Sequence, residues 1–301
     1  MFLNGYGGGA IHEGDGLAFT GSLKPGEPFR PKKRLGQNFL VDPFISDKII
    51  SLSGFSAEDT ILEIGPGKGA LTLPLARKVK HVVAVEKDGQ LVDWLNDRLH
   101  QDGLNNVTLL HEDILKLDWQ TLKKYFDGRI PVIGNLPYNI SSPVLEKMCR
   151  HSQWMGQAIL MFQKEVADRL TAPSGGKTYG ALTLLVQYHA KALSVLKVLK
   201  GSFFPVPKVD SMVVSLDFEK PYPQRTVHEA IFKKVVKGAF AHRRKTILNS
   251  LKGALQDQTR ESLLTALTAC GIDPGKRAEV LDMADFLRLS STLAIDNGTD
   301  R

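Results

Sequence analysis

The sequence predicts a Rossmann-like α/β fold, in which helices cover both faces of a mostly parallel sheet, followed by a small all-α domain. Short β-like runs alternate with amphipathic stretches up to residue 219, which is typical of a doubly wound sheet. The segment Lys220–Gln224, which reads KPYPQ, interrupts this pattern as a linker would. Beyond it the strand-like runs stop, and apolar residues recur at helical spacing.

The first part of the chain contains five predicted strands. They are Thr60–Ile64, His81–Val85, Val107–Leu110, Ile130–Ile133 and Ala158–Phe162. Amphipathic stretches at Ala70–Lys78 and Gln90–His100 predict helices between them. Because parallel sheets of this kind bind ligands beyond the carboxyl ends of their strands, we expect the functional site at that edge.

We predict three segments along the chain. Residues 1–29 are rich in glycine and lack apolar periodicity, which favours a flexible tail. Residues 30–219 form the sheet domain and residues 220–301 a helical domain. Helices in the second domain are predicted around Phe232–Phe240, Ser262–Ala269 and Ala278–Leu289.

Positive charge is unevenly distributed in a chain whose net charge is +7. Between Lys191 and Lys252 there are 13 lysines and arginines against 4 acidic residues. A second cluster lies at Arg30–Arg34, and Ala241–Lys245, which reads AHRRK, is interpreted as a basic helix face. Such stretches attract a phosphate backbone, so they predict nucleic-acid binding by the second domain. A solvated basic face is the alternative.

Several classes of protein are disfavoured. No apolar run approaches the ~18 residues of a membrane span. The first residues lack the pattern of a signal or transit peptide, so we expect a cytoplasmic protein. Cys149 and Cys270 are isolated and no histidine pair has ligand spacing, so we predict no metal site.

A glycine-rich loop follows the first predicted strand, where Gly65–Gly69 reads GPGKG and opens a helix. Glycine permits a tight turn and close approach of the backbone to a ligand, which makes Gly65 and Gly67 candidate cofactor contacts. A dinucleotide-binding loop would read GxGxxG, because a pyrophosphate rests on the helix N-terminus. The GxGxG spacing favours a ligand without phosphates, with a plain turn as the alternative.

Carboxylates end the next two predicted strands. Glu86 stands 21 residues after Gly65, where an acid can bind the two hydroxyls of a ribose. Asp113 follows the third strand and is placed to accept a hydrogen bond from an adenine amine. Each alone is compatible with a solvated side chain. Three such features at three successive strand ends favour an adenosyl ligand.

The motif after the fourth strand, NLPYNIS at Asn135–Ser141, predicts methylation of an aromatic amine. Such an amine is a poor nucleophile because its lone pair is delocalised into the ring. The Asn135 amide oxygen and the Leu136 carbonyl can accept its two N–H bonds and free the lone pair for attack on a methyl sulfonium. The ring of Tyr138 offers a surface on which the base can stack. An Asn-Pro turn would explain Asn135 and Pro137 but not Tyr138.

A further motif, Phe203–Ser211, reads FFPVPKVDS. Its prolines hold the loop extended, which would fix a phenylalanine against the other face of the base. A buried loop anchor is the alternative for either phenylalanine.

Together these motifs resemble the small-subunit ribosomal RNA adenine dimethyltransferase (KsgA) family, from about Arg34 to Leu289. The matching motifs are LGQNFL at Leu35–Leu40, the GPGKG loop, Glu86, Asp113, NLPYNIS, FxPxPxVDS, RRKT with NSL at Arg243–Leu251, and GIDP with RAE at Gly271–Glu279. The resemblance implies a class I methyltransferase sheet that uses S-adenosylmethionine. It also implies dimethylation of two adjacent adenosines near the 3′ end of small-subunit (16S) RNA in an immature 30S subunit, by an enzyme that we expect to be a monomer.

The resemblance also assigns roles to particular residues. By motif position the cofactor contacts would be Asn38, Leu40, Gly65, Glu86, Asp113 and Asn135. Asn135, Leu136 and Tyr138 would hold the target amine. The stacking phenylalanine of the family is the one that opens FxPxP, here Phe203, although Phe204 adjoins it.

Three other functions compete with this one. Resistance-type enzymes that methylate large-subunit RNA favour NIPYNIS and VNS, where this chain has NLPYNIS and VDS, and they lack the RRKT and NSL pattern. An assembly factor without catalysis would not need an intact Asn135, Tyr138 and Glu86. A nicotinamide-dependent dehydrogenase is the most distant alternative.

Overall fold

The computed structural model describes residues 36–296 of the 301-residue chain. The predicted tail at residues 1–29 and the basic cluster Arg30–Arg34 lie outside the described residues. The strands are β1 (Phe39–Leu40), β2 (Thr60–Ile64), β3 (His81–Glu86), β4 (Val107–His111), β5 (Ile130–Asn135), β6 (Met155–Gln163), β7 (Lys191–Val198), β8 (Phe203–Phe204) and β9 (Ser211–Asp217). The α-helices are α1 (Pro43–Leu52), α2 (Thr72–Ala76), α3 (Gly89–Gln101), α4 (Trp119–Lys123), α5 (Ser141–Arg150), α6 (Lys164–Leu170), α7 (Ala181–His189), α8 (Glu229–Ala239), α9 (Ile247–Ala254), α10 (Arg260–Ala269) and α11 (Met283–Asp296).

Within residues 36–296 a seven-stranded sheet has the order β4-β3-β2-β5-β6-β9-β7. Strands β2 to β6 are parallel, and β9 and β7 complete one edge in antiparallel pairing. The chain steps outward from β2 to β4 and then returns to place β5 on the other side of β2. This reversal creates a crevice between β2 and β5, the position at which open α/β sheets bind ligands.

The central strands are buried on both faces, as parallel sheets require. On β2, Leu62 and Ile64 pack with α5 and α6 in one apolar cluster. Ile61, which points the opposite way along the pleat, packs with α1 and α2 in another. The predicted α/β class with a helical region after it is therefore confirmed.

The C-terminal helices α8 to α11 share an apolar core with α7, which precedes the predicted linker. The Tyr188 ring of α7 lies 4.7 Å from that of Phe232 in α8, and the Arg225 guanidinium lies 3.7 Å from the Tyr188 ring centroid. Helix α7 thus contributes side chains to the second core. The domain boundary near residue 220 stays a prediction.

Strands β7 and β9 are absent from the sequence-based prediction. Strand β7 is an edge strand with several exposed positions, so its sequence KALSVLKV lacks the apolar density of a buried strand. Strand β9 begins inside the VDS motif, where the residues of the preceding loop are predicted as functional.

Two helical predictions in the second domain are wrong in detail. Ala241–Lys245 is a turn and not a helix, because α8 ends at Ala239 and the Thr246 hydroxyl caps a new helix by accepting from the Asn249 N–H at 3.4 Å. The predicted helix from Ala278 is interrupted after a short 3₁₀ turn. Asp282 accepts a hydrogen bond from the Asp285 N–H at 2.9 Å, so α11 begins anew at Met283.

Candidate active site

A pocket lies at the carboxyl ends of β2, β3, β4 and β5, beside the crevice created by the chain reversal. Every predicted site residue except Phe203 lines it. These residues are Asn38, Leu40, Gly65, Gly67, Glu86, Asp113, Asn135, Leu136 and Tyr138. Residues from four strand ends and from β1 therefore meet in one place, although nearly 100 positions separate Asn38 from Asn135 in the sequence.

The glycine loop is fixed to the end of β3 by hydrogen bonds to Glu86. The Gly67 N–H donates to Glu86 Oε2 at 3.1 Å, and the Asp88 N–H donates to Glu86 Oε1 at 2.9 Å. Gly67 has a φ of +57°, and a Cβ atom there would lie 3.1 Å from the Phe39 ring. Burial raises the pKa of Glu86, and the backbone hydrogen bonds oppose this effect. The loop and the carboxylate are thus one preformed unit.

Glu63, the last acid of β2 before the loop, also lines the pocket and is 1% exposed. Its Oε2 atom has no hydrogen-bond partner among the described residues. Burial raises the pKa of Glu63 to about 8, and the nearby charge of Glu86 adds to the shift. A buried carboxyl group with one unpartnered oxygen next to a second acid suits a cationic ligand, whose charge would favour the ionised form of Glu63. S-adenosylmethionine, which carries an ammonium and a sulfonium, fits this requirement.

Asp113 has a partner that the sequence analysis did not identify. Lys87 Nζ lies 2.8 Å from Asp113 Oδ2, and the Leu115 N–H donates to Asp113 Oδ1 at 3.0 Å. Burial alone would raise the pKa of Asp113, but the hydrogen bonds from Lys87 and Leu115 and the positive charges of Lys87 and Lys116 together outweigh it, so the pKa is lowered. Lys87 directly follows Glu86 at a strand end, which is the sequence signal that could have indicated it.

Asn135 and Leu136 of the NLPY segment both line the pocket. Asn135 Nδ2 donates to the Asn38 carbonyl at 3.0 Å, which orients the side chain so that Oδ1 is left without a partner among residues 36–296. The Pro137 carbonyl accepts from the Ile140 N–H at 3.0 Å and closes the turn into α5. The Leu136 carbonyl takes no part in that turn. Neither Asn135 Oδ1 nor the Leu136 carbonyl is therefore used in the hydrogen bonds that hold this segment in place.

The ring of Tyr138 is fixed at its hydroxyl end. The phenol oxygen lies 3.1 Å from Ser211 Oγ at the start of β9. Burial raises the pKa of Tyr138, which the hydrogen bond to Ser211 partly opposes. The phenol is therefore neutral at physiological pH, and what Tyr138 offers a ligand is its ring.

The model of the ribosomal RNA adenine dimethylase family matches residues 29–294 of the chain, which includes the pocket and the helical region. The chain belongs to this family. The predicted enzyme class, an S-adenosylmethionine-dependent rRNA adenine dimethyltransferase, is thereby confirmed. The cofactor of the family supplies an electrophilic methyl group, and the acids and glycines of the pocket fit it.

Relatives of the dimethylase have matching length and organisation. The chain is 40% identical over 285 residues to the ribosomal RNA small subunit methyltransferase A of Desulforapulum autotrophicum, covering 94% of this chain and 99% of the relative. It is 44% identical to the protein of the same name from Geobacter metallireducens, covering 89% and 97%.

Two solved structures resemble the dimethylase over nearly their whole length. The dimethyladenosine transferase of Plasmodium falciparum has a TM-score of 0.70 and 30% identity, with 86% of this chain and 98% of that chain covered. The 23S rRNA methyltransferase ErmE has a TM-score of 0.63 and 25% identity, with 85% and 99% covered. The relatives named as small-subunit methyltransferases are 40% and 44% identical to the chain and ErmE is 25% identical, so the sequence supports the small subunit more strongly than the large one.

Phe203 and Phe204, neither of which lines the dimethylase pocket, differ sharply in exposure. Phe203 is 2% exposed and packs in the apolar core with Leu40, its partner in the β1–β8 pair. Phe204 pairs with Phe39, a residue that lines the pocket, and is 58% exposed. Leu40 lines the pocket as well, so the strand pairing does not separate the two phenylalanines and only their exposure does. The stacking role that the resemblance implies for Phe203 stays a prediction, and the more exposed Phe204 is the alternative.

In the part of the chain that the structure describes, no helix is long and apolar enough to span a membrane. Across residues 36–296 no three His, Cys, Asp or Glu side chains are grouped so that they could hold a metal ion. Cys149 and Cys270 are free thiols.

Proposed function

We propose that this dimethylase transfers methyl groups to the N6 atoms of two adjacent adenosines near the 3′ end of small-subunit ribosomal RNA. Its substrate is an immature 30S subunit, and the enzyme acts as a cytoplasmic monomer. The names of the curated relatives support the choice of subunit.

The single observation that carries the proposed chemistry is the orientation of the Asn135 amide. Because Nδ2 is engaged by the Asn38 carbonyl, Oδ1 is free to accept one N–H of the target amine. The Leu136 carbonyl accepts the other N–H. Two acceptors draw the nitrogen toward a tetrahedral shape and release its lone pair for in-line attack. The proton leaves after methyl transfer, so no strong general base is required.

The cofactor pocket divides into two parts in this proposal. Glu86 binds the ribose hydroxyls, and Asp113 accepts from the adenine amine while Lys87 holds it in place. The loop at Gly65 and Gly67, together with Asn38 and Leu40, encloses the remainder. Tyr138 and Phe204 provide rings against which the flipped base stacks.

The RNA-binding surface is proposed to lie on the helical region, residues 220–301, and on the exposed turn between α8 and α9. Arg244 and Lys245 of that turn are exposed, and Arg243 donates to the Lys177 carbonyl. Exposed cations held on a fixed turn can track a phosphate backbone.

The experiment that tests this function offers isolated small and large ribosomal subunits, made without the modification, together with labelled cofactor. We expect label in two adjacent adenosines near the 3′ end of small-subunit RNA, read by mass spectrometry of RNA fragments. Asn135→Ala serves as the catalytic control and should lower turnover at least ~100-fold. Transfer only to the large subunit would overturn the proposed substrate, and no transfer at all would leave an assembly factor.

A further inference from the structure

The VDS motif, Val209–Ser211, has no role in the function proposed above, yet it touches the NLPY segment. Ser211 is the first residue of β9 and is fully buried. Its Oγ atom lies 3.1 Å from the Tyr138 hydroxyl, although 73 positions separate the two residues. The side chains of two separate motifs thus meet directly beside the pocket.

The position of Ser211 is fixed by the two strands that flank β9 within the sheet. Its register partners are Gln163 at the end of β6 and Val198 at the end of β7. Because Ser211 is held between two strands, it cannot shift when the Tyr138 ring moves. The hydroxyl is therefore an anchor to which Tyr138 must adapt.

Asp210 strengthens this anchor from the preceding position. Its carbonyl accepts from the Lys164 N–H at 3.0 Å, and its carboxylate accepts from the Lys200 N–H at 3.1 Å. Lys197 Nζ lies 3.1 Å from the same carboxylate. The start of β9 is thus fastened to α6 and to the turn that leads into β8. Since these bonds come from three separate segments, the strand end that holds Ser211 is rigid.

We propose that Ser211 is a positioning residue for methyl transfer, because its hydroxyl fixes the hydroxyl end of the Tyr138 ring. This inference rests on the proposed function, since it requires the target base to lie against that ring. A ring that is free to tilt leaves the amine misaligned with Asn135 and Leu136, and small errors of alignment slow group transfer steeply. Ser211 itself does not line the pocket.

The test is a double-mutant cycle in which each substitution removes the same hydrogen bond. Ser211→Ala and Tyr138→Phe should each lower kcat by about three- to tenfold. The doubly substituted protein should be no slower than the slower single variant, because only one interaction is lost. The Kd for S-adenosylmethionine, measured by calorimetry, should stay unchanged, and Ser211→Thr should retain most of kcat.

Ser215→Ala is the matched control on the same strand. It removes one hydrogen bond, from Gln157 Nε2 to Ser215 Oγ at 3.3 Å, at a position that does not line the pocket. It should have the kcat of the wild type. If the role of Ser211 were only structural, Ser211→Ala and Ser215→Ala should have the same kcat.

Equal kcat for Ser211→Ala and Ser215→Ala would overturn the inference, as would effects of Ser211→Ala and Tyr138→Phe that multiply in the double variant. If Ser211→Ala does not fold, Tyr138→Phe removes the bond without changing the core, and wild-type kcat in that variant would refute the role. A wild-type protein that transfers no methyl group to RNA would instead refute the proposed function itself.

Discussion

Glu63 is the residue whose environment departs most from that of an ordinary surface carboxylate. It is buried at the end of β2, one of its oxygens has no partner among the described residues, and Glu86 lies nearby. The motif around it is visible in the sequence as EIGPG. The sequence does not indicate that Glu63 is protonated, because its desolvation depends on which side chains pack around the end of β2 in the folded protein.

The first prediction concerns pH. Burial raises the pKa of Glu63 from 4.5 to about 8, so the folded protein binds a proton that the unfolded chain has lost between these values. The contribution of the neutral Glu63 carboxyl to the free energy of unfolding is fully present below pH 4.5 and is lost as the pH rises through about 8. In the absence of cofactor, the free energy of unfolding should fall by up to about 1.4 kcal/mol per pH unit across this window.

Glu63→Gln stays neutral and should lack this decline. Thermal unfolding of both proteins between pH 5 and pH 9 measures the difference, which removes the contributions of all other titrating groups. Parallel curves for the two proteins would show that Glu63 is ionised in the free enzyme. Because a cationic ligand favours the ionised carboxylate of Glu63, the affinity of the wild type for the cofactor should rise with pH. The affinity of Glu63→Gln should lack this rise.

The second prediction separates two adjacent phenylalanines. Phe203→Ala empties a buried position and should destabilise the fold by ~3–5 kcal/mol. Phe204→Ala removes an exposed ring and should change stability by less than about 0.5 kcal/mol. It should nevertheless weaken productive RNA binding by about 1–3 kcal/mol if the ring stacks on a base. Thermal unfolding and kcat/KM on small subunits measure the two effects, and a Phe204→Ala enzyme with wild-type kcat/KM would exclude the stacking role.

At the scale of elements, the parallel strands were predictable and the antiparallel edge was not. Strands such as Thr60–Ile64 are buried on both faces and mostly apolar, so they leave a strong signal in the sequence. Strand β7 forms because it pairs with β9, which lies more than a dozen positions later in the chain. No local feature of its sequence KALSVLKV predicts a strand. Long-range pairing decides such edges, and a sequence window does not contain it.

The third prediction concerns the loop between β2 and α2. Gly67→Ala should lower cofactor affinity at least ~10-fold, because the added Cβ would press on the Phe39 ring and displace the loop. Gly103→Ala is the matched control. Gly103 has a similar φ of +66°, but an added Cβ would have no neighbour within 4 Å. This variant therefore introduces backbone strain without crowding. Calorimetric titration with S-adenosylmethionine should give wild-type affinity for the control, and equal losses in both variants would refute the crowding argument.

At the scale of the whole molecule, the pocket could be predicted as a set of residues but not as a closed site. Strand-end position in a parallel sheet is enough to bring Gly65, Glu86 and Asn135 together. The bonds that lock them, from Asn135 to Asn38 and from Tyr138 to Ser211, join segments about 100 and 73 positions apart. Side-chain pairs at such separation follow from the packed structure and leave no spacing signal in the sequence.

The last prediction separates RNA binding by the helical region from cofactor binding by the pocket in the sheet domain. If the α8–α9 turn contacts RNA phosphates, Arg244→Ala with Lys245→Ala should weaken RNA binding and lower the slope of log K against log salt by about 1–2. Arg243 is left in place because its bond to the Lys177 carbonyl supports the turn. Cofactor affinity should not change, because neither residue lines the pocket.

Lys80→Ala with Lys124→Ala provides a control with the same loss of charge. Lys80 precedes β3 and Lys124 precedes β5, so both lie toward the amino ends of the strands, away from the pocket. Filter binding to small subunits over a salt series should give the wild-type slope for this control. If both double variants lower the slope equally, net charge and not the turn attracts the RNA, because counterion release at a defined contact depends on where the cations lie.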